Sequence, residues 1–224
     1  MIEVIQLDDL IRRRFRKEIV LPGPAVERVN QDRKRELWLR RWVPEGVLRQ
    51  LSHSFARSNT VHPSAAQALY SLARALTPEM IIETGTYWGY ATTYLAAAVA
   101  DSGSGQVWSF DLWAQAGQCI PNSLRPFVQL MSGRPSVESL PEVLSKFQPK
   151  LFFQDSLHDY QGVLSELKLV APCMPAGSII VFHDFIVDGV RKAARDGLPD
   201  WQILQLAVDD PQQLGIALRE SLPD

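Results

Sequence analysis

Cysteine is scarce in this 224-residue chain: Cys119 and Cys173 stand alone, in neither Cys-x-x-Cys nor metal-finger spacing. That argues against a disulfide framework or a structural zinc site and leaves two buried thiols as the expectation. Long apolar runs are missing too. The longest, Tyr94 to Ala100, falls far short of the ~20 residues that cross a bilayer. The opening MIEVIQLDDLIRRR puts acid before base with no apolar signal-peptide core, so a cytoplasmic location with no membrane partner is expected. There is no internal repeat, no low-complexity stretch, and no Gly-x-Gly-x-x-Gly of the dinucleotide folds.

What is present suits one sizeable core: 46% apolar and 21% charged residues. The near-neutral total of -2 hides a split. Residues 11–50 hold 12 Lys/Arg against 5 Asp/Glu, whereas residues 51–224 hold 11 against 17. A basic arm precedes an acidic body.

From about residue 5 to residue 76 the pattern reads as four short helices, broken by Pro22, Pro24, Pro44 and Pro63. The last has Ser64 and Gln67 as a capping-box pair and ends at Thr77-Pro78. From Met80 the chain alternates short apolar runs with helical stretches, the signature of a parallel sheet with crossover helices. Strands are predicted at 80–84, 107–112, 127–131, 151–155 and 178–183, and helices near 89–100, 114–123, 137–147, 158–173 and 188–196. Two further runs, 201–208 and 214–219, are joined by the tight turn Asp209-Asp210-Pro211 and predict an antiparallel hairpin. The expected architecture is α/β: a doubly wound, mostly parallel seven-stranded sheet with that C-terminal hairpin and an N-terminal helical extension. Residues 1–78 would be a helical arm or lid and 79–224 the catalytic domain.

Acids fall at the carboxyl ends of four strands: Glu83, Asp111, Asp155 and Asp184. In open α/β sheets ligands bind beyond those ends, so the four should converge on one crevice rather than merely cap four helices. Gly85-x-x-x-Gly89 turns the first strand into a helix. Asp111, 26 positions beyond Gly85, is placed to accept from both hydroxyls of a ribose. Together they point to an adenosine-containing ligand.

The runs IIETGTYWGYATTYLAAAV, VWSFDL and LFFQDSLHDYQGVLSELKLVAPCMPAGSIIVFHDF resemble a class I S-adenosylmethionine-dependent methyltransferase. Within that class the chain is most similar to the small-molecule O-methyltransferases of macrolide and cephalosporin pathways, methyltransferase family 24. The resemblance spans roughly residues 80–219. It implies that Glu83, Gly85 and Tyr87 face the methionine part of the cofactor, Asp111 the ribose, and Gly133 and Ser136 the adenine, with Gly89 and Asp155 also among the cofactor-binding residues. Gly133-Arg134-Pro135-Ser136 is one residue longer than the family's usual G-D-S.

Asp155, His183 and Asp184 should meet at neighbouring strand ends, and relatives hold a divalent cation, usually Mg2+, at these positions. A histidine in the set favours a softer ion. A hydrogen-bonded acid–base cluster stays open beside the metal. Asp155, His158 and His183 are the candidates for proton removal, while His53 and His62 fall outside the matched region. The arm's Arg12, Arg13, Arg14, Arg33, Lys34, Arg35, Arg40 and Arg41 could attract an anion or form a solvated helix face. Trp38 and Trp42, four apart, could line an acceptor site, pack on the sheet, or join two subunits of a homo-oligomer. No RNA-binding pattern accompanies them, so a small-molecule acceptor is expected rather than nucleic acid. The leading reading is methyl transfer to a hydroxyl of a sugar, polyketide or similar molecule. An NAD-dependent oxidoreductase and a non-catalytic cofactor-binding scaffold are the alternatives.

Overall fold

The computed structural model of the protein describes residues 2–17, 22–40 and 61–220. Their elements, in chain order, are β1 (Glu3–Gln6), α1 (Leu7–Phe15), α2 (Pro24–Arg40), α3 (Pro63–Leu76), β2 (Met80–Thr84), α4 (Tyr90–Ser102) and β3 (Gln106–Asp111). There follow β4 (Val128–Ser132), α5 (Ser136–Leu144), β5 (Leu151–Gln154), α6 (Tyr160–Val170), β6 (Ile179–Phe182), α7 (Asp188–Gly197), β7 (Gln202–Ala207) and β8 (Leu214–Leu218).

One eight-stranded sheet runs β1-β7-β8-β6-β5-β2-β3-β4, with β8 alone antiparallel to its neighbours. Central strands such as MIIET of β2 and IIVF of β6 are buried along their whole length, as strands covered on both faces must be. Side chains alternate between two cores. Ile81, Val107, Phe153 and Val181 point to α1–α4, while Ile82, Phe110, Phe152 and Phe182 point to α5–α7. α4 is sunk deepest, buried from Tyr90 to Val99. Its Ala96-Ala97-Ala98 meets the alanine-rich α3 (Ala65, Ala66, Ala73), small residues that permit close approach.

The sheet has one strand more than the sequence predicts. Glu3–Gln6, at the edge of the region read as helical from about residue 5, pairs in parallel with β7; four residues are too few for a strand period to register in the sequence. Leu10, Val26, Val29 and Ala65 share the core of the sheet. Residue 78 therefore marks a change in sequence character, not a border between cores. α2 begins on a cap supplied from elsewhere: Asp101, at the end of α4, accepts from the amides of Ala25 (2.8 Å) and Val26 (3.2 Å) and from Tyr70 Oη (3.0 Å). The expected capping pair of α3 does not form. His62 is the N-cap residue with Pro63 behind it, and Ser64 Oγ instead donates to the carbonyl of Asp209, 2.7 Å away.

Residues 114–123 are also not a helix. Gly117 has φ +74°, and the amides of Gly117 and Cys119 donate to Tyr87 and Trp88 carbonyls (2.8 and 2.9 Å) rather than to their own turn. Neither cysteine forms a disulfide among the described residues; Cys119 is buried and Cys173 only partly so. Among the described residues no helix is long and apolar enough to cross a membrane. Arg41, Trp42, Pro44 and His53 lie outside the described residues, as do the side chains of Lys34, Arg35, Trp38 and Arg40.

Because β5 supplies one ring to each core, Phe152→Ala and Phe153→Ala should each cost about 3–5 kcal/mol in urea unfolding.

Candidate active site

The chain leaves β2 for β3 and β4 on one side of the sheet, then returns to place β5 on the other, so β2 and β5 flank the switch point. A crevice opens there by necessity. Gly85 closes it: its φ is +93°, its amide donates to the Phe110 carbonyl (2.8 Å), and an added Cβ would lie 2.1 Å from the Asp155 carbonyl oxygen. Gly89 is equally confined, at φ +88° and with Ile120 2.5 Å from an added Cβ.

Beyond the strand ends lies a cavity of about 890 Å³, within the range of cofactor sites. Gly85, Tyr87, Asp111, Ser136, Asp155, His158, His183 and Asp184 line it. Glu83, Gly89 and Gly133 do not. Three of the four strand-end acids therefore converge. Glu83 is the exception because it lies one residue inside β2 on the same face as Ile81, turned toward α4. Its Oε2 accepts from Thr92 (2.6 Å) and Ser109 (2.6 Å), while Oε1 has no partner. Since Ser109 spends its proton on Glu83, Thr86 donates to Ser109 (2.5 Å). Burial pushes the Glu83 carboxyl up to about 7. Gly133 sits under Asp111, its amide donating to that residue's carbonyl (2.9 Å).

Asp111 is held by two backbone amides, Tyr87 N on Oδ2 (2.6 Å) and Trp113 N on Oδ1 (2.7 Å). Each oxygen keeps a lone pair for a ligand, and the pairing fixes the plane of the carboxylate. Tyr87 reaches that geometry at φ +47°, and its ring joins Trp88 and Trp113 in an edge-on cluster with centroids 4.7 to 5.9 Å apart.

At the other end His183 Nδ1 lies 2.8 Å from Asp155 and 2.9 Å from Asp184, and its Nε2 is 3.7 Å from Asp210. His158 Nε2 lies 3.1 Å from Asp184 and 3.4 Å from Asp155. Burial alone would lower His183, but the charge of Asp155 and contacts with Asp155, Asp184 and Asp210 outweigh it and push the imidazole up to about 12. The Asp155 contact also raises His158. Asp184 takes φ +49° and is steadied by Gln212 Nε2 at 3.1 Å. The ligand atoms of Asp155, His158, His183 and Asp184 all lie within 4.8 Å of one another. Two carboxylates and two imidazoles could hold one divalent cation, a donor set better suited to Mn2+, Fe2+ or Zn2+ than to Mg2+.

Sequence reasoning missed Asp210, Gln212, Ser156 and Glu166. Asp210 was visible only as part of a hairpin turn, and Glu166 only as one acid within a helix. His62 stands at the start of α3 with Nδ1 2.8 Å from Ser64 Oγ, apart from the cavity lining.

Residues 82–185 match the family model described as a methyltransferase domain. Solved structures share this chain's fold at low identity. An O-methyltransferase from Bacillus cereus in complex with SAH is 19% identical with TM-score 0.59, covering 80% of this chain and 93% of that one. The O-methyltransferase TomG from Streptomyces achromogenes, involved in tomaymycin synthesis and in complex with SAM, is 17% identical with TM-score 0.58, covering 73% and 83%. A TDP-rhamnose 3'-O-methyltransferase of calicheamicin biosynthesis is 19% identical with TM-score 0.59, covering 90% and 97%. No curated protein matches the sequence.

A carboxyl that titrates near 7 when folded and near 4.5 when unfolded binds more protons in the folded state, so stability falls as pH rises through that window. Glu83→Gln should remove up to ~3 kcal/mol of the decline between pH 4.5 and 7.5, measured as the difference between the two proteins' urea-unfolding profiles.

Proposed function

We propose that this protein transfers a methyl group from S-adenosylmethionine to a hydroxyl of a small-molecule acceptor, such as a sugar or polyketide. The observation that carries the reading is Asp111, a carboxylate fixed by two amides with lone pairs free at the cavity wall, 26 positions beyond a glycine turn that the backbone cannot do without. S-adenosylmethionine, when bound, supplies a methyl group already activated by the sulfonium charge. The protein's task is then to align, to exclude water and to take one proton.

Asp111 would receive the two ribose hydroxyls. Gly85, without a side chain, would let the methionine part approach the backbone, and Tyr87, at the rim, would flank it. Ser136 would stand at the adenine. Glu83 and Gly89 support the turn from behind, and Gly133 supports Asp111, without reaching the ligand. The acceptor would enter beside His158, whose half-exposed imidazole faces two carboxylates, Asp155 and Asp184, that stabilise it once it has taken the hydroxyl proton.

Asp155, His183 and Asp184, with His158, fit a divalent cation, which when bound would lower the acceptor hydroxyl's pKa and orient it. His183 lies among three carboxylates, Asp155, Asp184 and Asp210, so the cluster keeps a negative excess even with the imidazole protonated. That excess favours cation entry. The N-terminal helices, by analogy, would cover the acceptor or join two subunits.

S-adenosylhomocysteine should raise the melting temperature by several degrees, and Asp111→Ala should abolish the shift, measured against its own ligand-free value, which the loss of two amide hydrogen bonds lowers; no shift in the unaltered protein would refute the reading. Mn2+ should give a second, additive shift larger than that of Mg2+, lost in Asp184→Ala. Equal, negligible shifts with both ions would leave the acid–base cluster as the answer. Methyl transfer across a panel of hydroxylated acceptors, with and without Mn2+, would identify the acceptor class.

A further inference from the structure

One end of the cavity has a hydrogen-bond polarity set from behind its wall. Ser136, opening α5, and Ser156, after β5, both line it. Both hydroxyls donate to the same atom, Oε1 of Glu166, Ser156 at 2.7 Å. Thr84 Oγ1 (2.9 Å) and Gln154 Nε2 (3.4 Å) donate to Oε2. Glu166 projects from α6 and is 1% exposed. A carboxylate offers about four acceptor positions, and four neutral donors use them.

A serine has one proton. With both protons turned to Glu166, Ser136 and Ser156 can offer the cavity only lone pairs. Beside them stand three aliphatic side chains, Leu112 and Leu157 on the loops after β3 and β5 and Val137 in the first turn of α5, respectively 69%, 56% and 38% exposed. Leu157 is kept in place by Gly162, where an added Cβ would lie 2.5 Å from the Leu157 Cβ. Exposed apolar walls next to acceptor-only hydroxyls suit a flat heteroaromatic ring with a donating edge.

We propose that Glu166 is a positioning residue that sets cofactor specificity: by drawing the protons of Ser136 and Ser156, it makes this end of the cavity select a 6-amino purine over a 6-oxo purine. The inference rests on the reading of the cavity as an S-adenosylmethionine site. The 6-amino group donates to the serines; a 6-oxo group would set lone pairs against lone pairs, leaving buried acceptors unpaired. Glu166→Leu would remove the shared acceptor and free both serine protons to turn into the cavity.

Calorimetric titration of the full chain with S-adenosylhomocysteine and its deaminated counterpart, S-inosylhomocysteine, tests this. The unaltered protein should prefer the amino form by roughly thirtyfold or more, the loss expected for unpaired buried acceptors. Glu166→Leu should reduce that preference to about threefold or less while keeping a cooperative thermal transition. Ser136→Ala and Ser156→Ala should each weaken the amino ligand more than the oxo ligand, and they decide the matter if Glu166→Leu does not fold. Retention of the full preference in Glu166→Leu, or in both serine variants, overturns the proposal. Binding of S-adenosylhomocysteine without discrimination overturns it and leaves the methyltransferase reading standing; binding of neither ligand overturns both.

Discussion

The site depends on one backbone contact, the approach of the β2 turn to the β5 turn at Gly85. Asp155 N donates to the Thr84 carbonyl at 2.9 Å, continuing the β2–β5 ladder one step past the strands, and the Asp155 carbonyl then occupies the space of any Cβ at position 85. This contact joins the two halves of the sheet at the switch point. It also ties Asp111 to the histidine–carboxylate cluster: Gly85 N bonds to Phe110, the neighbour of Asp111, while the residue packed against Gly85 is Asp155 itself. A displacement at Gly85 would therefore move both ends of the cavity. Only glycine fits, for steric reasons on one side and a φ of +93° on the other.

Carboxylates in this region do two different kinds of work, separated by what neutralises them. Glu83 and Glu166 are buried among hydroxyls and an amide, with burial raising the pKa of both. They spend their acceptor capacity on fixing strand ends and serine protons. Asp155, Asp184 and Asp210 surround an imidazole instead; burial alone would raise Asp184 and Asp210, but the contact with and charge of His183, together with Gln212, hold both below the ordinary aspartate range. The first group gives shape and polarity to a wall. The second concentrates negative charge where a cation or a transferred proton can be accommodated.

Much of this was legible because strand ends are marked by both period and chemistry. The apolar runs of β2 to β8 could be placed within a residue or two, and Asp111, Asp155 and Asp184 were found by position alone. The misses share a cause, namely contacts between segments distant in sequence. β1 is a strand only because β7 offers it an edge. The 114–123 segment forgoes a helix because Tyr87 and Trp88 carbonyls take its amides. Asp101 caps a helix some 75 positions earlier, and Asp210 joins the site through a turn whose residues predict only a reversal of direction. Glu166 was hidden by the helical period that makes it look like one acid among solvent-facing neighbours.

The basic surplus of residues 11–50 loses part of its mystery once the helices are in place. In α1 Asp8 and Asp9 occupy the first turn and Arg12, Arg13 and Arg14 the last, the order that opposes the helix dipole at both ends. Arg14 reaches the Arg219 carbonyl beyond β8, fastening α1 to the far end of the sheet. Arg33 stands over the Tyr90 ring, 5.4 Å from its centroid, at the first residue of α4 after the glycine turn. Among the described side chains, Arg14 and Arg33 thus serve contacts on separate elements, and the acid-before-base order of α1 accounts for Arg12 and Arg13 as helix-end charges.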